Sequence, residues 1–556
     1  MNAIFYLLRA SWRDTVLASL AGGISGAASI ALMAMIRRTL EDPAGSNVTA
    51  MILFASFCVV VLVTRIASQV LVSRLTQRSL LKLQMNLCRR ILDAPIKRIE
   101  EIGSARLLTV LTGDVNTVAH AMSLLPGMGV DFVILLSGAI YLGTLSLNLM
   151  LAAVFFCVFG VVGYWLSAQW ADKYIERARR EQDLLQQRIQ ELIEGVKELK
   201  LHTQRRQEFV EDVLLQSATK MRHSQFIGEC LQNAAISWGR LAFFIAIGLL
   251  LFVWPKFMQE DTPTLVGYVL TILYLMSPLD QLVGAMPTMN WAAESLRQIK
   301  TLDFSLDQKE PTPDVPRPME SWGHIELVGV THAYRGHGRP RGFLLGPLNL
   351  TITAGETVFV IGGNGSGKTT LAKLLTGLYV PESGEVRLDG QPMTNNSRDS
   401  YRQLFSVVFD DAMVFDRLLG LDPENLDIRA QEYLRSLELD HVVSITNGLF
   451  STRSLSRGQR KRLALLTAYL EDRPIYLFDE WAADQDPTFR KVFYLRLLPE
   501  LKRRGKTVVA ITHDDRFFDC ADRIVKLEDG KIVELLRDEA QQELEMQMTS
   551  ADKFRN

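Results

Sequence analysis

Apolar residues in the first half of this chain gather into runs of about 20, each long enough to cross a bilayer as a helix. There are six, approximately Thr15–Ile36, Met51–Val72, Met122–Leu145, Leu147–Ser167, Ile236–Trp254 and Thr264–Met286. The first is too long for a cleaved leader, and Arg37 and Arg38 follow it with no cleavage site, so it reads as a span. Short loops join the first span to the second, the third to the fourth and the fifth to the sixth. Charged segments of roughly 50–70 residues with helical periodicity separate the second from the third and the fourth from the fifth.

Those two segments carry Arg74, Arg78, Lys82, Arg89 and Arg90, then Arg177, Arg179, Arg180, Arg188 and Lys197, among others. By the positive-inside rule both are cytoplasmic. Arg9 and Arg13 put the N-terminus on the same side, against a weaker opposing signal from Arg37 and Arg38. The rhythm of short and long connections predicts helices that run on well beyond the membrane.

The pattern changes after residues 305–322, where Pro311, Pro313, Pro316 and Pro318 favour extended chain and stop a helix. Beyond them short β-like runs alternate with helical ones, as in an α/β domain. The expected organisation is a transmembrane domain at 1–304, a linker at 305–322, an α/β domain at 323–536 and a tail at 537–556. Composition adds one exclusion: 61 Lys plus Arg against 62 Asp plus Glu give no electrostatic case for a nucleic-acid partner. The five cysteines have no metal-ligand spacing and read as unpaired thiols.

The α/β half holds the chemistry. A buried strand at Val358–Ile361 leads into Gly362-Gly363-Asn364-Gly365-Ser366-Gly367-Lys368-Thr369, followed by Thr370 and a helical run. This is the phosphate-binding loop in its required strand–loop–helix setting. Glycines let main-chain N–H groups approach phosphates, and the helix N-terminus favours their charge. Lys368 is placed for the β- and γ-phosphates of ATP and the Thr369 hydroxyl for Mg²⁺. A second apolar strand, Ile475–Phe478, ends in Asp479 and Glu480. The first acid is placed to bind the metal and the second to polarise the attacking water.

Leu455-Ser456-Arg457-Gly458-Gln459 resembles the signature motif of ABC ATPases, with Arg457 in place of the first glycine. The family order of phosphate loop, signature, acidic pair and histidine is met, the histidine being His513. The resemblance implies that Asp486 is the D-loop aspartate and that Tyr334 stacks on adenine. It implies a membrane all-α six-helix exporter domain fused to an α/β P-loop ATPase, working as a head-to-tail homodimer. Each ATP is then held by Lys368 and Thr369 of one subunit and by Ser456, Gly458 and Gln459 of the other. Glu480 is the general base and His513 contacts the γ-phosphate.

The chain departs from the family where a glutamine is usual after a strand. Within Phe405–Phe415, Asp410 takes that place as a metal ligand. A slip to Asp411, and an acid that is merely solvated, both stay open. Phe450–Ser454 replaces the usual Glu-Arg-Gly segment. The strings beginning at Leu455, Asp479 and Thr512 resemble the bacterial cyclic-peptide and siderophore-peptide exporter branch, similar to pyoverdine-precursor and syringomycin exporters. That implies a multi-pass inner-membrane protein in contact with membrane lipid, its ATPase cytoplasmic, exporting a peptide-derived small molecule. A lipid or multidrug exporter, a siderophore importer and a non-transporting regulator are the alternatives. Asp131, Arg240 and Asp280 are ionisable residues inside spans, hence candidates for the substrate path. A static Asp131–Arg240 bridge, or an Arg240 that snorkels to the interface, is the competing reading.

Overall fold

The computed structural model describes residues 12–41, 48–256, 262–305, 322–334 and 343–535. Arg9, residues 306–321 of the expected linker and the whole expected tail lie outside the described residues. The chain forms two compact units, one of residues 1–88 and 105–303, the other of 89–104 and 304–556.

The first unit is helical. Among the described residues, six helices are long and apolar enough to cross a membrane. Two are single helices of 46 and 48 residues, Val48–Asp93 and Leu147–Glu194. At 1.5 Å per residue each spans about 70 Å, more than twice a hydrocarbon core of about 30 Å. The most apolar window of Val48–Asp93 has no buried residue, as a lipid-facing surface requires. Helix Leu147–Glu194 packs along Leu215–Phe252, where small residues set the approach. A Cβ on Gly160 would stand 3.2 Å from the Ala242 Cβ, and one on Gly163 would stand 2.1 Å from the Trp238 Nε1. Tyr268 is fully buried, with its hydroxyl oxygen 2.5 Å from both the Leu142 and the Ser146 carbonyl oxygens.

The second unit contains two main sheets. The antiparallel one has the order β2 (Phe343–Thr353), β1 (His324–Tyr334), β4 (Ser383–Leu388), β5 (Gln391–Pro392). A two-stranded ribbon pairs β7 (Ile445–Thr446) with β8 (Leu449–Phe450). The central sheet has the order β12 (Lys531–Leu535), β11 (Arg523–Glu528), β3 (Thr357–Ile361), β10 (Thr507–Ile511), β9 (Ile475–Asp479), β6 (Phe405–Val408). All of it is parallel except the β11–β12 pair. Strands β3, β9 and β10 are buried throughout. Phe359 and Ile361 face one apolar core and Val358 and Val360 the other. Burial on both faces explains why these strands read as unbroken apolar runs.

The short helix Ile96–Ile102 belongs to this unit. Glu100 accepts hydrogen bonds from Lys373 Nζ at 2.7 Å and from the Tyr379 hydroxyl. Lys97 donates to Glu382 at 2.8 Å.

Candidate ATP site

The carboxyl ends of β3, β10, β9 and β6 lie side by side, the edge at which open α/β sheets bind ligands. Strand β3 delivers the phosphate loop there, β10 delivers Thr512 and His513, β9 delivers Asp479 and Glu480, and β6 delivers Asp410. The loop opens the helix Lys368–Leu375. Gly367 has φ +103° and its Cβ position lies 2.7 Å from Leu345 Cδ1, so a side chain there is barred twice. Asn364, Gly365 and Thr369 are exposed, Gly362 and Thr370 half-buried, and Ser366 buried.

Lys368 is buried and folds back on its own loop, donating to the Gly362 carbonyl at 2.9 Å and the Gly363 carbonyl at 3.1 Å. Its ammonium stands 3.6 Å from Glu480 Oε1. The same carboxylate oxygen is 3.1 Å from His513 Nε2. Glu480 therefore sits between the phosphate-loop lysine and the histidine. It has φ +48°, a left-handed conformation unusual for a residue with a side chain.

Asp479 is 1 % exposed, and both its carboxylate oxygens are buried without a hydrogen-bond partner. Burial pushes its pKa up, opposed in part by the Thr369 hydroxyl. Among the described residues no three side chains cluster as a metal cage. An orphaned buried carboxylate beside a threonine hydroxyl nonetheless fits Mg²⁺, which binds through one or two protein groups plus substrate phosphates and water.

The signature residues stand at the N-terminus of the helix Arg457–Glu471. Ser456 Oγ accepts from the Gln459 N–H at 3.3 Å, and Gln459 Oε1 accepts from the Ser456 N–H at 3.0 Å. This reciprocal capping box fixes the helix start. Gly458 is needed for close packing: its Cβ position is 2.7 Å from the Asp484 carbonyl. Asp486 caps the helix Pro487–Val492 through the Thr488 and Phe489 N–H groups and pairs with Arg462 Nη2 at 2.5 Å. The Phe489 N–H and the Arg462 charge hold its pKa below the usual carboxylate range. Tyr334 ends β1, paired with Phe343.

Asp410 differs most from the reading of the sequence. Its carboxylate is taken up by cations of its own chain: Arg457 Nη2 at 2.9 and 3.1 Å and Lys461 Nζ at 2.6 Å. Burial alone would raise its pKa, but Lys461 and Arg457 outweigh it and hold the group below the usual range. Asp411 is exposed. Lys461 and Asp484 were not singled out from the sequence. The available signal was the i, i+4 spacing of Arg457 and Lys461, which puts two cations on one helix face.

In the first unit Arg240 pairs with Asp280, Nε to Oδ2 at 2.9 Å, so the bridge runs to Asp280 rather than to Asp131. Asp280 lines a mostly apolar cavity of ≈ 200 Å³ whose walls include Leu142, Phe156, Tyr164, Phe243 and Leu275. Asp131 is buried next to Val130, which closes on Gly22 of the helix Trp12–Glu41.

The family model described as ABC transporter transmembrane region matches residues 15–279, and the one described as ABC transporter matches 345–483. The chain is 38 % identical over 542 residues to the ATP-binding protein SyrD of Pseudomonas syringae pv. syringae, covering 95 % of this chain and 96 % of that protein. It is 26 % identical to an ATP-dependent lipid A-core flippase of Ralstonia nicotianae, covering 95 % of this chain and 91 % of that one. A solved bacterial Atm1-family ABC exporter with ATP bound superposes with a TM-score of 0.76 at 18 % identity, covering 98 % of both chains, a likeness of fold.

Proposed function

We propose that this chain, which belongs to the ABC transporter family, pairs with a second copy of itself to export a cyclic or siderophore-type peptide product across a bacterial inner membrane. ATP hydrolysis coupled to transport comes with the family. The observation that carries the reading is the strand-end edge where Lys368, Glu480 and His513 meet, in a chain whose membrane half is matched as well.

On ATP binding, Lys368 exchanges the Gly362 and Gly363 carbonyls for β- and γ-phosphate oxygens. The exposed loop N–H groups and the start of the helix Lys368–Leu375 receive the remaining phosphate charge. Asp479 and the Thr369 hydroxyl would hold Mg²⁺, which when bound would supply positive charge against that building on the phosphates. Glu480 takes the proton of the attacking water, and His513 orients its carboxylate and reaches the γ-phosphate. The partner's signature segment closes the site from the other side. Its helix start is already rigid through the Ser456–Gln459 box, so ordering it costs little on association. Asp486 fixes the turn after Glu480, at the expected dimer seam.

The strings at Leu455, Asp479 and Thr512 favour a peptide substrate; the likeness to an ATP-dependent lipid A-core flippase favours a lipid. Reconstituted into proteoliposomes, the protein is expected to show ATPase stimulated by cyclic or siderophore-type peptides and not by lipid A-core glycolipid. Stimulation by the glycolipid alone would replace the peptide reading with the lipid one. For the path, Asp280→Asn strands the Arg240 charge beside the cavity. It is expected to weaken peptide stimulation several-fold, with basal ATPase retained and Arg240→Gln/Asp280→Asn recovering the melting temperature. Peptide stimulation unchanged in a folded Asp280→Asn protein removes Asp280 from the path.

A further inference from the structure

Lys461 is 2 % exposed, and a buried ammonium needs partners for all three of its donors. It donates to Asp410 Oδ1 at 2.6 Å and to the main-chain carbonyl of Glu480 at 2.9 Å, and it stands 2.6 Å from Asp484 Oδ2. Arg457, one helical turn earlier, spans the same two acids, with Nη2 on Asp410 at 2.9 Å and Nε 3.0 Å from Asp484. The four side chains balance, two positive against two negative. They join the end of β6, the signature helix and the turn after β9.

Glu480 is the residue this cluster acts on. Its left-handed backbone persists only if its surroundings fix it. Its N–H donates to the Ile511 carbonyl at 3.1 Å, and its carbonyl is held by Lys461. The Trp481 indole returns the contact, donating to the Lys461 carbonyl at 2.8 Å. The Glu480 main chain is thus anchored on both sides, and its side chain is left to aim at Lys368 and His513.

We infer that Lys461 is a positioning residue for Glu480, and that Asp410 and Asp484 are its counter-ions, Asp410 serving the base through Lys461 rather than binding the metal. This rests on the reading of Glu480 as general base. A displacement of that carboxylate by about 1 Å is enough to cost up to a hundredfold in turnover.

The test uses the full-length protein in nanodiscs, with ATP and Mg²⁺ titrated separately. Lys461→Met is expected to lower kcat by about tenfold to a hundredfold, with the KM for ATP and the binding of a fluorescent ATP analogue changed less than about threefold. Lys461→Arg restores part of kcat. Asp410→Asn lowers kcat by several-fold without moving the half-saturating Mg²⁺ concentration. The Lys461→Met/Asp410→Asn double variant is no slower than Lys461→Met, because the two changes break one network. A kcat within twofold of wild type in folded Lys461→Met overturns the inference, as does a several-fold rise in half-saturating Mg²⁺ for Asp410→Asn. If Lys461→Met does not fold, Asp410→Asn and Asp484→Asn decide: unchanged kcat in both overturns it. Glu480→Gln is run alongside. Wild-type turnover there defeats the general-base reading itself, whereas a dead Glu480→Gln with a fully active Lys461→Met defeats this inference alone.

Discussion

Glu480→Gln is expected to lose ATP turnover by about 10²–10⁴-fold, the usual contribution of a positioned general base. Binding should survive, because the loss is confined to one carboxylate. Lys368 keeps its place in the loop, Asp479 stays buried beside Thr369, and the amide still reaches His513 Nε2. A protein that binds ATP and does not cleave it accumulates the nucleotide-closed dimer, visible as a shift in size by light scattering or as an inter-subunit crosslink. Measured turnover close to wild type would move the base elsewhere.

Asp479→Asn is expected to move activity and stability in opposite directions. The carboxylate is buried, and the Thr369 hydroxyl offsets that burial only in part, so its charged form is disfavoured in the folded protein. A carboxyl whose folded pKa is raised stabilises the protein at low pH, and that contribution is lost as pH rises through the folded value. At neutral pH the ionised group therefore destabilises the nucleotide-free state. Replacing it with asparagine removes the charge. The melting temperature without nucleotide should rise. Mg²⁺-dependent ATPase should fall by at least about a hundredfold, since the group that offers the ion its buried charge is gone. The gain in melting temperature should shrink as the pH is lowered toward the range where the wild-type group protonates. A nucleotide-free melting temperature lower in the variant would show that Asp479 has partners in the protein.

Much of this architecture is legible along the chain because its signals are local. Spans such as Leu147–Ser167 are continuous apolar runs, and the phosphate loop, the acidic pair and His513 each follow a buried strand directly. Parallel pairing then brings β3, β10 and β9 to one edge, so residues 368, 480 and 513 meet without further information from the sequence. The long extensions followed from the spacing of the spans and exist as single helices of 46 and 48 residues.

What stayed hidden is pairing between distant positions. In the sequence Asp410 stands as a metal ligand and Arg457 as a variant signature residue, with nothing to tie either to Lys461 or Asp484, and the three-dimensional structure makes the four one cluster around Lys461. The partner of Arg240 was undetermined for the same reason. Asp131 and Asp280 are both acids inside spans, and which of them faces Arg240 depends on helix rotation, which hydropathy does not encode. The grouping of residues 89–104 with the ATPase is likewise a matter of packing, through Glu100 and Lys97, that no motif announces.

The proposed function requires ATP hydrolysis at this site to drive a peptide product across the membrane. Its most direct test is ATP-dependent accumulation of a labelled cyclic peptide inside proteoliposomes whose ATPase domains face outward, comparing wild type with Glu480→Gln. Accumulation is expected with wild type, Mg²⁺ and ATP together, and none with Glu480→Gln. Wild-type protein that hydrolyses ATP at full rate while no peptide of this class accumulates, or equal accumulation with Glu480→Gln, would contradict it.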